Sequence, residues 1–124
     1  MSDIIYKSES FEIIGLCMDV HNYLGKGLLE VVYKDALEYE FENAGIQFER
    51  EKEYLVNYKN IILPHRFYAD FVVYDKIILE VKAVPDIEKN FIAQTINYLC
   101  ISKNKLALLV NFGGSKLTYK RILI

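Results

Sequence analysis

A chain of 124 residues is about the modal size for one folded domain. A hydrophobic fraction of 52% beside 26% charged residues excludes a disordered polymer, and two Pro and six Gly exclude a collagen-like or linker-like chain. No apolar run is long enough for a membrane span, and a formal charge of −2 excludes a strongly basic nucleic-acid binder.

That charge is uneven. Residues 1–45 carry nine acids and three bases, whereas residues 46–124 carry eight acids and twelve bases. A polyanion is therefore drawn to the second part and repelled by the first. The opening segment, Met1-Ser2-Asp3-Ile4-Ile5-Tyr6-Lys7, lacks a basic stretch followed by an apolar one, so no secretory signal is expected. Cys17 and Cys100 sit inside apolar helical patterns and read as buried, reduced thiols of a cytoplasmic protein. With His21 and His65 they are too few, at unsuitable spacings, for a zinc site. No repeat or linker interrupts residues 1–124, which read as one domain.

Residues 11–24 place Phe11, Ile14, Cys17, Met18, His21 and Leu24 at helical spacing, with Ser8 or Ser10 available as cap. Gly25-Lys26-Gly27 breaks that helix. A second helix is predicted from about Leu28 to Ala44, with Leu29, Val32, Tyr33, Ala36, Leu37 and Phe41 as its apolar stripe and Gly45 as its stop. The period then shortens. Ile46 to Tyr58 reads as a strand with Glu49, Arg50, Glu51 and Lys52 exposed, and a turn lies within Asn57–Pro64. Arg66–Val73 and Lys76–Val81 are two strands around Tyr74-Asp75, hence an antiparallel hairpin. Pro85-Asp86 caps a third helix, about Ile87 to Ser102. Lys105–Asn111 is a near-continuous apolar run, as in a buried strand. Gly113-Gly114 turns into a last strand, Lys116–Leu123. The order α-α-β-β-β-α-β-β predicts an α/β (α+β) domain of three layers, a mixed β-sheet flanked by helices.

The chemistry concentrates in Tyr68-Ala69-Asp70-Phe71-Val72-Val73-Tyr74-Asp75-Lys76-Ile77-Ile78-Leu79-Glu80-Val81-Lys82. Asp70, Glu80 and Lys82 interrupt otherwise apolar strands. Glu80 and Lys82 share a face because they are two apart. A three-residue loop pairs Asp70 with Glu80 and adds Asp70 to that face, leaving Phe67, Ala69, Phe71, Val73, Ile77, Leu79 and Val81 opposite. A one-residue slip would mix the charged and apolar sets. Two half-buried carboxylates repel each other and lose hydration, and a divalent cation relieves both costs. Oxygen ligands select Mg²⁺ or Mn²⁺ over zinc. A neighbouring ammonium can hold a phosphate oxygen or orient an attacking water. Glu80 and Lys82 alone also suit an ordinary same-face ion pair.

Asp70 followed by Glu80-Val81-Lys82 resembles the D-x(n)-(D/E)-x-K signature of PD-(D/E)xK nucleases, with Ala69 where the nominal proline stands. Gln94-Thr95-Ile96-Asn97-Tyr98 resembles the Q-x-x-x-Y motif of an exonuclease-like branch. Gly27-Leu28-Leu29-Glu30-Val31-Val32-Tyr33 is similar to the motif naming the GxxExxY family, and the flanking Val20–Lys26 segment is similar too. The likeness runs over about residues 10–122. It implies a restriction-endonuclease-like fold and a metal-dependent nuclease acting on DNA or RNA. Asp70, Glu80, the Val81 carbonyl and Glu30 would then hold Mg²⁺ or Mn²⁺. Lys82 would assist the nucleophile, and Gln94 would orient Lys82 or a water. Glu30 also suits the first turn of a helix by the dipole alone. Gln94, amid Phe91, Ile92, Ile96 and Leu99, needs a polar partner if buried. Tyr98 reads either as a substrate contact or as packing. His21 reads as a phosphate contact or, preferably, a satisfied core histidine. Two other readings stand beside the nuclease: a non-catalytic nucleic-acid- or protein-binding module, and a homodimer joined through the apolar stripe of residues 11–24.

Overall fold

The computed structural model describes residues 4–124. Met1-Ser2-Asp3, part of the segment read for a secretory signal, lies outside the described residues. The elements run α1 (Lys7–Leu24), α2 (Glu30–Ala44), β1 (Phe48–Tyr58), β2 (Ile61–Val73), β3 (Ile77–Lys82), α3 (Lys89–Ser102), β4 (Leu106–Asn111) and β5 (Thr118–Leu123). The five strands form one sheet in the order β1-β2-β3-β4-β5. Only β3 and β4 pair in parallel, and α3 makes the crossover between them. The other three pairings are antiparallel. The expected element order and mixed sheet are both present.

Helices cover both faces. Ile13, Cys17, Tyr33, Leu37 and Phe41 of α1 and α2 pack against Phe71, Val73, Ile77, Leu79, Val81, Leu108 and Val110. On the other side Leu99 of α3 packs with Ala69, Val72, Ile78, Ala107, Leu109 and Ile122. Every residue of β4 is buried, as a strand covered on both faces must be. Among the described residues no helix is long and apolar enough to cross a membrane.

The expected stripe of α2 holds at Tyr33, Leu37 and Phe41, which are buried, whereas that of α1 holds only in part. On α1 the buried residues include Ile13, Ile14, Cys17, Val20 and His21, whereas Phe11 is 81% exposed. Ser8 and Ser10 do not cap α1; its N-cap is Tyr6, and Ser10 is buried, accepting a bond from Arg121. Helix α2 starts at Glu30, after an N-cap at Leu29, and α3 starts at Lys89. Cys17 is buried, but Cys100 is exposed because it follows Leu99 on the outward side of α3. In β1 the half-buried set includes Arg50 and Lys52, which the strand alternation turns inward with Phe48, Tyr54 and Val56.

Strand β2 begins earlier than predicted and contains Pro64. The register of β1 against β2 shifts between Leu55 and Asn57, opposite the Pro64 region. Pairing with β3 is confined to Phe71–Val73, so Pro64 lies where one edge of β2 has no strand partner.

Candidate metal centre

The β2–β3 hairpin pairs Phe71 with Leu79, Val72 with Ile78 and Val73 with Ile77, around Tyr74-Asp75-Lys76. Tyr74 and Asp75 both have positive φ, and the Lys76 N–H donates to the Val73 carbonyl at 3.2 Å. Two left-handed residues are what a tight hairpin turn requires. One further step along this register sets Asp70 against Glu80, as the charge pattern predicted.

At that step side chains replace the ladder. The Asp70 N–H donates to Glu80 Oε2 at 2.8 Å, and the Val81 N–H donates to Asp70 Oδ2 at 2.8 Å. Both carboxylates are buried, Asp70 9% and Glu80 6% exposed. Alternation along β2 also changes phase here. Ala69 packs on the α3 side and Phe67 meets the Tyr98 ring edge-on, whereas Phe71 and Val73 face α1 and α2. The predicted single apolar face from Phe67 to Val81 is therefore split at Asp70. Glu51, which falls opposite Asp70 between the Arg50–Phe71 and Lys52–Ala69 pairs, has φ 54° and distorts the ladder at this point.

Burial, reinforced by the adjacent Asp70 carboxylate, pushes the Glu80 carboxyl up to about 8. Glu30 lies at the start of α2 and is raised by burial and then by Asp70, so it shares the field of the same pocket. Lys82 acts on both acids in the opposite sense and rests its ammonium 4.8 Å from the centre of the Phe91 ring. Tyr98 is pushed up to about 12, first by burial and then by Glu80 and Asp70, which puts it near the carboxylates too.

Two residues of the predicted site do not join the buried carboxylates. Gln94 is exposed on α3, and the buried polar residue of that stretch is Thr95, whose hydroxyl donates to the Phe91 carbonyl at 2.8 Å. The need for a buried polar partner therefore does not arise for Gln94. His21 is buried, with Nε2 2.9 Å from the Gly114 carbonyl and its ring near Phe112. It is the satisfied core histidine.

The G-x-x-E-x-x-Y segment has a structural logic. Gly27 takes φ 100°. Tyr33 is fully buried, stacks on Phe112 at 4.7 Å, donates to the Gly25 carbonyl at 2.6 Å and accepts from the Leu28 N–H. It clamps the α1–α2 turn, and the turn delivers Glu30 to the pocket.

Lys34, absent from the sequence reading, is the main addition. It is buried; its ammonium donates to Asp70 Oδ1 at 2.9 Å and also pairs with Glu51. Burial disfavours that charge, but the bonds to Glu51 and Asp70 outweigh it and raise Lys34 above the ordinary lysine range. A signal was present: Glu30, Lys34, Leu37 and Phe41 form one helical stripe, so Lys34 faces the sheet.

Buried, mutually repelling oxygen ligands with a raised carboxyl suit a hard divalent cation. Among the described residues no three acidic, His or Cys side chains already form a cage.

Comparison with known proteins bears on the fold. SSO0001, a solved structure, superposes with a TM-score of 0.62 at 19% identity, covering 95% of this chain and 59% of its own. The chain thus spans about three-fifths of that protein's length. An alkaline exonuclease, LHK-Exo from Laribacter hongkongensis, superposes with a TM-score of 0.54 at 11% identity, covering 98% of this chain and 72% of its own. At such identities the likeness shows a shared fold. No curated protein matches the sequence. A family profile matches residues 7–122, and on that match the chain belongs to the PD-(D/E)XK nuclease superfamily.

Proposed function

We propose that this chain, acting as one domain, hydrolyses phosphodiester bonds of DNA or RNA with the help of Mg²⁺ or Mn²⁺. The observation that carries the reading is the convergence of Asp70 and Glu80 in a desolvated pocket, with Lys82 two residues beyond Glu80. Asp70 and Glu80 hold the cation, and Glu30 adds a carboxylate from α2. Val81 lends its carbonyl. In an extended strand a residue's N–H and C=O leave on the same edge, and the Val81 N–H already points at Asp70. Such a cation would polarise the phosphate and stabilise the charge that develops on it.

The remaining work belongs to the chain's own residues. Lys82 leaves the Phe91 ring, holds the attacking water by a lone pair and places charge beside the phosphate. Water forms the new P–O bond, the ester P–O bond opens, and the proton lost by the water ends on the departing alkoxide. Tyr98 lies close enough to the carboxylates to contact substrate. Gln94, exposed on α3, reaches substrate rather than the buried ligands. Two free thiols suit a reducing compartment, the cytoplasm.

The test is cleavage of end-labelled single- and double-stranded DNA and RNA with Mn²⁺ or Mg²⁺. Cutting that disappears in Lys82→Ala and with EDTA is the expected result. Equal cutting by Lys82→Ala overturns the reading, and a gel shift without cutting assigns the protein to binding instead. The homodimer reading has one observation in its favour: Phe11 and Met18 of α1 lie exposed beside Tyr119. Sedimentation of wild type against Phe11→Glu tests it; a monomer in both ends it.

A further inference from the structure

We propose that Lys34 is a permanent counter-cation that limits this centre to a single divalent ion; the inference rests on the metal-dependent reading above. A buried ammonium is costly unless carboxylates surround it. Lys34 meets two of them, Asp70 and Glu51, which come from adjacent strands. The chain accepts a local irregularity to bring this about. Consecutive residues of a regular strand point to opposite faces, yet Arg50 and Glu51 both reach α2, Arg50 at Asp35 and Glu51 at Lys34. The left-handed φ of Glu51 accounts for this.

The charges then close. Four carboxylates gather here with two ammoniums: Glu30 feels Asp70, Glu51, Lys34 and Lys82, and Glu80 feels Asp70, Lys34 and Lys82. Once an arriving ion has displaced the Glu80 proton, four negative against two positive leaves two negative charges, which one divalent ion neutralises. Asp70 already gives one lone pair of each oxygen, Oδ1 to Lys34 and Oδ2 to the Val81 N–H, so the Oδ1 side is occupied by a fixed positive charge. In two-ion centres a carboxylate bridges both ions. Here a second ion would have to evict Lys34 from Asp70 and Glu51 and leave its ammonium buried without a partner.

Mn²⁺ binding to the folded chain, counted by calorimetry and by the loss of the free-ion electron paramagnetic resonance signal, tests this without substrate. Wild type is expected to take one ion per chain, as is Lys34→Arg. Lys34→Gln leaves three net negative charges and vacates the place on Asp70 and Glu51, and is expected to take a second ion. Lys34→Gln combined with Glu51→Gln removes one charge of each sign and returns the count to one. Two ions in wild type overturn the proposal whatever the variants do. A folded Lys34→Gln that still takes one ion overturns it as well. If Lys34→Gln fails to fold by circular dichroism, the charge-neutral double variant carries the test, and two ions there overturn the proposal. A wild type that takes no Mn²⁺, or a count unchanged in Asp70→Asn, sinks the metal-dependent reading itself and is distinct from the other outcomes.

Discussion

The N–H of Asp70 donates to Oε2 of Glu80 at 2.8 Å, at a point where a regular antiparallel pair would offer it a carbonyl. The Val81 N–H returns the bond to Asp70 Oδ2. Each acid therefore stands in for backbone and is fixed by the other's strand. This orients both before any cation arrives, which lowers the cost of binding one. Adding Mn²⁺ at about a hundredfold its Kd should stabilise wild type by about 2.7 kcal/mol. Asp70→Asn and Glu80→Gln should show no such gain, as read by thermal unfolding with and without the ion. A comparable gain in both variants would place the ion elsewhere.

Glu80 also sets a pH dependence. Its carboxyl moves from the ordinary 4.5 to about 8 on folding, because burial and then Asp70 disfavour the charge. Between those values the folded chain keeps a proton that the unfolded chain has released, so stability falls as pH rises. This contribution is complete below the unfolded value and lost as pH climbs through the folded one. In EDTA the urea midpoint of wild type should decline from pH 5 to 8.5, and Glu80→Gln should flatten the decline. An equal decline in Glu80→Gln would assign it to other groups. Mn²⁺ displaces the same proton, so its affinity should tighten by about tenfold per pH unit below the Glu80 value.

Tyr33 couples the α1–α2 turn to the pocket. Tyr33→Phe keeps the ring on Phe112 and removes the bonds to Gly25 and Leu28. The loss should be about 1–2 kcal/mol by chemical denaturation. Mn²⁺ binding should weaken as well, because Glu30 lies three residues before Tyr33. Unchanged Mn²⁺ affinity would make Tyr33 a matter of stability alone.

Much of this centre was legible because its parts are local in sequence. Asp70, Glu80 and Lys82 lie within one hairpin, and the apolar alternation around them admits one register. Lys34 escaped because a lysine on a helix is ordinarily solvated, and its partners lie 17 and 36 residues away on β1 and β2. The apolar neighbours of Gln94 left its burial open; α3 meets the sheet through Thr95 and Leu99 and leaves Gln94 exposed. The face of α1 was legible only in part, because apolar residues also occupy its outer side: Phe11, Met18 and Tyr23 are exposed. Periodicity cannot choose a face where both sides are apolar. The phase change at Asp70 depends on the backbone of Glu51, which no side-chain pattern announces.

Gly113 offers a test far from the carboxylates. It does not use a left-handed conformation; a Cβ there would fall on the backbone of Val84. Asn111, buried, ties the same place together. Its side chain accepts from the N–H groups of Val84 and Gly113 and donates to the Val84 carbonyl. The Phe112 N–H reaches back to the Lys82 carbonyl at 2.8 Å. The end of β3, which carries Lys82, is thus held by the turn after β4. Gly113→Ala must push Val84 away and should cost about 1–3 kcal/mol, the usual range for overpacking. The shift should pass to Lys82 before it reaches Asp70 or Glu80, which are anchored to each other. Cleavage rate at saturating Mn²⁺ should therefore fall while Mn²⁺ affinity stays near that of wild type. Loss of affinity with an unchanged rate would mean that this turn supports the carboxylates rather than the lysine.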